Sequence, residues 1–442
     1  MTYDPCADHD PIPAYYAGLA PPAPGAPLAG SHEADVVVIG GGFTGCSTAL
    51  HLAEQGVRVI LLEAKEIGAG ASSRNFGQVV PYLKPGHASI RKDFPPEVAE
   101  RMITRVGRGP DLVFGLIERH AIQCQPRRNG LLFAAHAASG VPGLEARTRF
   151  WQERGENVRM YGAAETEALV GSRYYRACSV DYRGGTINPA GYVRGLAHAA
   201  AISGAMICVG ALAEPPERVD GKWRVRAPGG QVTADHVVLA TNAYTTEKLW
   251  PGLRESIIPV RGYALASAPL SDNLRGSLLR GGQPLTDTRR THSGMRLNED
   301  GRLHSSTLGP PFDIEGTHDM TRLHRRVTTV FPQLGGVQWE HRWCGWIALS
   351  QDHYPHLHAL APGLWAGLGY TGRGIAAATL MGQDIASHIL GRPGEETTFP
   401  VRGLKQWWMV PFARSVVAAG IAYHRLRDKL DERQNARERS AA

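Results

Sequence analysis

Three glycines and one acid carry the clearest chemistry in this chain. Gly40, Gly42 and Gly45 stand in G-x-G-x-x-G spacing within Gly40-Gly41-Gly42-Phe43-Thr44-Gly45, and Glu63 follows about 20 residues later. The first glycine permits a tight turn, the second lets backbone approach a pyrophosphate, and the third lets a helix pack closely on a sheet. The helix opened by that turn offers unpaired N–H groups and a partial positive charge to an anion. A carboxylate at Glu63 can accept hydrogen bonds from an adenosine ribose and would repel a 2′-phosphate, which favours FAD or NAD over NADP.

Two further segments bear on that choice. Gly68-Ala69-Gly70-Ala71-Ser72-Ser73-Arg74-Asn75 brings small residues, hydroxyls and an arginine just past the second strand. An extended FAD needs such extra contacts along its pyrophosphate and ring, whereas an NAD fold would continue into another helix; a surface turn is the plainer reading of the same residues. Gly367-Leu368-Gly369-Tyr370-Thr371-Gly372-Arg373-Gly374 then opens a late helix, Ile375 to Ile389. Its N-terminus suits the electron-rich edge of a flavin.

These motifs need elements to hold them. Val36-Val37-Val38-Ile39 is a β-branched run of the kind expected for a parallel strand covered on both faces. A helix over Cys46 to Gln55 and a strand over Arg58 to Leu62 complete one β-α-β unit. Helical spacing recurs over Pro95–His120, Leu144–Arg154 and an Ala-rich stretch after Pro189. Strands are expected near Cys124 and over Gly130–Ala134, Met206–Ala211, Trp223–Arg226, His236–Ala240, Ile257–Ser267, Met295–Leu297 and Leu303–Ser306.

Composition excludes several classes. The 442 residues are 43% hydrophobic, too apolar for a disordered chain, and the 52 glycines follow no collagen period. No apolar run reaches the ~18–20 residues of a spanning helix, and Met1 to Asp10 lacks a secretory apolar core. The formal charge is +7, yet the basic residues are scattered, so an Arg-rich enzyme surface is expected rather than a nucleic-acid interface. Six separated cysteines without a C-x-x-C pair offer no zinc framework and fit a reducing cytoplasm.

With the three glycine segments assembled, the sequence resembles the FAD-dependent amine and amino-acid oxidoreductases of the D-amino-acid oxidase and sarcosine oxidase superfamily, and within it the γ-glutamylputrescine oxidoreductase branch. The matching stretches are Asp35–Glu63, Gly70–Gln78, Ile187–Tyr192, Val237–Tyr244, Pro259–Tyr263 and Trp343–Gly391, with Tyr15-Tyr16-Ala17 as an aromatic arm. The resemblance implies an α/β fold: a discontinuous Rossmann-like FAD-binding domain (33–88, 155–245, 343–395) and an α+β substrate domain on a mixed or antiparallel sheet (89–154, 246–342). An extended arm, 1–32, and a helical tail, 396–442, flank them.

It further implies that Gly40, Gly42, Phe43, Thr44, Gly45, Glu63 and Ala64 hold the ADP half of FAD. Ala71, Ser72, Ser73, Arg74 and Gln78 would line the pyrophosphate and flavin, with Asn242 on the returning strand. Gly369, Gly372, Arg373, Gly374 and Ile375 would cover the pyrimidine side. Arg261, Tyr263, Trp346 and Tyr370 are the substrate-binding candidates, and no catalytic residue is singled out. The implied reaction is hydride transfer from a carbon bearing an amine, giving an imine that water hydrolyses. A 2-hydroxy-acid dehydrogenase and a non-catalytic dinucleotide-binding protein are the alternative readings.

Departures from the family pattern sharpen these expectations. The branch has S-G-R-N-G-G-Q where this chain has Ser73 and Phe76 in place of two glycines. Sarcosine-oxidase-like members place a carboxylate-binding Lys where Ala376 stands, which argues against a small N-methyl amino acid. They also use a Lys of the second domain toward oxygen, and residues 249–404 contain none, so the acceptor is oxygen or another electron carrier. His353, His356 and His358 read as loop or pocket-wall residues rather than metal ligands. Cys344 reads as a buried thiol rather than a flavin attachment point. Trp407 to Tyr423 suggests packing on the body or a second subunit, with peripheral membrane contact the secondary expectation.

Overall fold

The computed structural model describes residues 14–291, 293–309, 320–392, 394, 397–406 and 410–440 of the chain, and they divide into two units. The first comprises 1–126, 187–259 and 346–411. Its central strand, Gly30–Ile39, runs parallel to Val59–Leu62 on one side and Gly230–Leu239 on the other. Val36, Val37 and Val38 are fully buried, as a strand covered on both faces requires. The six-strand path continues to Met206–Cys208 at one edge, and through Leu364–Leu368 to the antiparallel His356–Ala361 at the other.

Helices Phe43–Ala53, Pro189–Ile202 and Gly374–Ile389 belong to this unit. Small residues let them approach closely: a Cβ on Gly382 would lie 2.5 Å from that of Ser47, whose hydroxyl donates to the Thr379 carbonyl at 2.8 Å. Pro189–Ile202 starts as sequence chemistry dictates, with the Asn188 side chain accepting from the N–H groups of Ala190 and Gly191. The expected arm is fastened rather than loose over its described part. Tyr15 and Tyr16 are buried, and the carbonyls of Tyr16, Pro21 and Pro22 accept from Asn188, Arg194 and His198.

The second unit comprises 127–186, 260–345 and 412–442. Its sheet runs, in order, Trp339–Ser350, Ile257–Ser267, Leu303–Leu308, Ser293–Leu297, Leu285–Asp287, Leu131–Ala134, Cys178–Asp181 and Val158–Tyr161, the two long first strands beginning or ending in the other unit. It is mixed, since Leu285–Asp287 pairs in parallel with Leu131–Ala134 while its other neighbour is antiparallel. Helix Thr321–Val330 contributes Leu323, Val327 and Val330 to the apolar core over one face.

Polar anchors tie the tail helix, Val410–Ser440, to this unit. Arg289 pairs with buried Asp287 and with Glu432, which also takes Arg326. Asp428 accepts from the Arg290 and Thr291 backbone and from the Thr291 hydroxyl. Burying the Arg289–Asp287 pair is tolerable only because each partner neutralises the other.

The α/β class with a second, mixed-sheet unit matches the expectation, but the units divide at other residues. Residues 89–126 join the parallel-sheet unit because helix Gly109–Arg119 packs on Gly374–Ile389, where a Cβ on Gly109 would meet that of Ala376 at 3.1 Å. Residues 155–186 join the second unit because Cys178–Asp181 pairs with Leu131–Ala134. The helical pattern over Pro95–His120 splits into Pro96–Gly107 and Gly109–Arg119, since Pro110 lacks the N–H a continuous helix would use. No strand forms at Cys124. Trp407, Trp408 and Met409 lie outside the described residues. Among the described residues no helix is long and apolar enough to cross a membrane.

The late helix carries a buried carboxylate, Asp384, that accepts from the N–H groups of Thr398 and Phe399 at 2.8–2.9 Å. Burial raises it to about 6 despite those bonds. A carboxyl raised on folding stabilises the native state most at low pH and loses that contribution as pH climbs through its folded value. Asp384→Asn is therefore expected to flatten the fall of melting temperature between pH 4 and pH 6. Asp384→Ala leaves two buried N–H groups without their acceptor and should cost about 2–3 kcal/mol, read by chemical denaturation.

Candidate functional site

The site begins where the first strand turns into its helix. Gly40 adopts φ +111°, and a Cβ there would come within 2.9 Å of the Ala240 carbonyl oxygen. A Cβ on Gly45 would sit 1.9 Å from the Gly40 oxygen, so no side chain fits. Helix Phe43–Ala53 starts at Gly42 without a side-chain cap although its first turn is buried. A buried helix start with unpaired N–H groups has the electrostatics that attract an anion.

Two side chains shape the approach to that turn. Glu63 accepts the Gly41 N–H at 2.6 Å on one carboxylate oxygen and the Lys65 N–H at 2.9 Å on the other, each oxygen keeping acceptor capacity. Burial pushes its carboxyl up, opposed by those backbone bonds. The Ser72 hydroxyl accepts from Phe43 N–H at 3.0 Å and lies where a Cβ on Gly42 would arrive, also at 3.0 Å. The next residue, Ser73, buries a hydroxyl with no hydrogen-bond partner among the described residues. Arg74 donates to the Ala69 carbonyl, and Asn75 closes the loop on Ala71, Ser72 and Gly77. Ala64, Ala71 and Gln78 are partly buried.

The late glycine turn lies against the same region. Asn242, at φ +44°, accepts from Gly369 N–H at 3.0 Å, and Ser350 hydrogen-bonds Thr371, itself at φ +49°. Left-handed backbone at two non-glycine residues is costly and persists only where the surroundings enforce it. Tyr370 reaches Thr44 with hydroxyl oxygens 2.5 Å apart, joining the late turn to the first turn of helix Phe43–Ala53. Burial pushes its phenol far up, so it stays protonated. Gly372 takes φ +80°, Ile375 is buried, and Arg373 stands over the Tyr82 ring at 5.1 Å. The cofactor residues expected from sequence thus fall largely into one assembly within the first unit.

Of the four substrate candidates, Tyr370 belongs to this assembly through its contact with Thr44. Trp346 packs in the first unit's core with Ala348, Leu249 and Leu253. In the second unit, Tyr263 and Leu265 pack with Met320, Leu323 and Cys344 on the helix-covered face. Arg261, two residues earlier on that strand, donates to the Cys344 sulfur at 3.2 Å. Cys344 is a buried thiol. The opposite face presents Gly262, Ala264 and Ala266 beside Ser306 and His304. His304 pairs across strands with Arg296 and meets the Trp343 ring at 4.9 Å. Burial, then Arg296, holds the His304 imidazole far down and uncharged. Alternation along Ile257–Ser267 would have separated these faces in the sequence alone, because the residue before each small one is large.

A cationic group of the first unit was not legible at all. Lys84 keeps an exposed side chain but is hemmed in by protein, which lowers it to about 8, with Arg373 adding to the effect. Among the described residues it makes no ion pair. His353 stands at φ +63° and is lowered by burial and by Lys84. The other two histidines of that run are engaged, His356 with Asp352 at 2.9 Å and His358 with the Arg402 carbonyl at 2.8 Å. Elsewhere, His136, Asp428 and Asp431 lie close enough to hold an ion, but both carboxylates already bind Arg290.

The family model for FAD-dependent oxidoreductases, DAO, matches residues 35–388. The chain is 32% identical to γ-glutamylputrescine oxidoreductase of Escherichia coli (strain K12) over 426 residues, 94% of this chain and 98% of the relative. It is 27% identical to glycine oxidase of Geobacillus kaustophilus (strain HTA426), covering 81% and 93%. In structure it is similar to L-proline dehydrogenase from P. horikoshii, with a TM-score of 0.70 at 19% identity, covering 84% and 96%, which speaks to fold alone. The chain belongs to the DAO family of FAD-dependent oxidoreductases.

Proposed function

We propose that this chain oxidises a C–N bond of an amine or amino-acid derivative. The observation that carries the cofactor half is the buried, uncapped start of helix Phe43–Ala53, framed by Glu63 and Ser72. It fits a pyrophosphate, with Glu63 left to accept from ribose hydroxyls and the orphaned Ser73 hydroxyl as a further donor. The turn Gly369–Gly374 would hold the ring end. Bound FAD would supply the hydride acceptor; the substrate carbon would lose the hydride and its nitrogen a proton, and water would convert the resulting imine to a carbonyl compound and a free amine.

The residues themselves bind and orient. Lys84, with Arg373 in electrostatic reach, offers positive charge to an anionic group, which favours an amine that bears a carboxylate elsewhere. The γ-glutamylputrescine oxidoreductase relative supports that class, because a γ-glutamyl amine is such a molecule. Support for an amine over a 2-hydroxy acid comes from the same relative and from the glycine oxidases.

The test is an anaerobic titration of the FAD-loaded protein with γ-glutamyl amines, plain polyamines, N-alkyl amino acids and 2-hydroxy acids. Bleaching of the yellow colour by the carboxylate-bearing amines, with an aldehyde or ammonia released, is the expected result. Bleaching by hydroxy acids alone refutes it.

Lys84 supplies a sharper prediction. Lys84→Met should raise KM for a carboxylate-bearing amine about 10- to 100-fold, as for one lost hydrogen bond to a charged group, and leave KM for a carboxylate-free amine unchanged. Since the ammonium titrates near pH 8, KM for the anionic substrate should rise above that pH in the native enzyme. In Lys84→Arg, which stays charged, the rise should vanish.

A further inference from the structure

The tail helix Val410–Ser440 has two dissimilar sides. Asp428 and Glu432 dock one side on Arg290, Thr291, Arg289 and Arg326 of the second unit. The other side carries Phe412, Val416, Ala419, Tyr423, Leu426 and Leu430, all exposed; the five large ones run from 42% accessible (Val416) to 63% (Phe412). At 3.6 residues per turn these six fall within a sector about 80° wide, on the far side from Asp428 and Glu432. Five large apolar groups along about 27 Å of one helix face are too concentrated to be scattered surface hydrophobics.

Their spacing identifies what covers them. The steps are four, three, four, three and four residues, an a/d seam sustained over more than two heptads. A seam this narrow suits one facing helix, whereas a helix lying in a membrane surface presents a broader apolar face. The series also reads the same in both directions about Ile421. Two copies related by a two-fold axis there would set Phe412 against the partner's Leu430, Val416 against the partner's Leu426, and small Ala419 against the large ring of the partner's Tyr423.

Charge selects the same direction. Arg427 and Lys429 flank the seam at one end only, and the other end carries uncharged Ser415 and, at the centre, Gly420. Antiparallel pairing puts Lys429 and Arg427 near the level of the partner's Ser415, which is uncharged, so neither flanking basic group faces another. Parallel pairing would bring all four basic groups to one end. We infer that the exposed seam of the tail helix is an antiparallel, two-fold dimer interface with a second copy of this chain.

Light scattering on the full FAD-loaded chain tests this. At ~10 µM the mass should be twice the 47.8 kDa of one chain, and Leu426→Glu should return it to one chain with the FAD content per chain unchanged. Disulfide trapping fixes the direction, because the described native cysteines are all buried. A mixture of Val416→Cys and Leu426→Cys chains should cross-link to each other, and neither should cross-link to itself. A single-chain mass for the native protein at ~100 µM overturns the inference. So do a dimer that survives Leu426→Glu, self-cross-linking of Val416→Cys, and a monomer that sediments with anionic phospholipid vesicles.

Discussion

Everything proposed for the cofactor in the first unit depends on a helix that begins inside the protein with its N-terminal N–H groups only partly partnered. The strand Gly30–Ile39 drives the chain into the interior, and Gly40 turns it where no side chain fits beside the Ala240 carbonyl. The helix must then start in a buried place, where unpaired N–H groups are expensive. Ser72 and Glu63 relieve part of that cost by accepting from Phe43 and Gly41. We propose that the rest is balanced by a bound pyrophosphate, an anion whose shape follows the turn.

That requirement reaches the other end of the site through ordinary packing. Small residues allow Phe43–Ala53 to lie close on Gly374–Ile389, and Thr44 meets Tyr370 across them. Asn242 and Ser350 then hold the Gly369–Gly374 turn in a conformation it would not adopt alone. Fixing both turns relative to one another is what an extended ligand needs, since preorganisation lowers the entropy it must lose on binding.

The glycine turns, the β-α-β unit and the acid at Glu63 were legible because each is a local rule of covalent geometry or hydrogen bonding. The strand Ile257–Ser267 was legible for the same reason, but not the side on which Arg261 and Tyr263 lie; that is decided by helix Thr321–Val330, which covers one face. Lys84 and His353 escaped because they are separated by more than 260 residues and are drawn together only by the fold. The unit boundaries shifted for a like reason. Helix Gly109–Arg119 carries no local mark of its neighbour, and its place is set by the contact of Gly109 with Ala376.

We propose that the turn at Gly40–Gly45 grips the pyrophosphate of FAD. That grip is tested most directly by titrating FAD into the apoprotein and following the quenching of flavin fluorescence. One FAD per chain is the expected uptake, abolished or severely weakened by Gly42→Val, whose added bulk would meet the Ser72 hydroxyl. Native protein that takes up no FAD, or a Gly42→Val variant that binds it as tightly as the native chain, would contradict it.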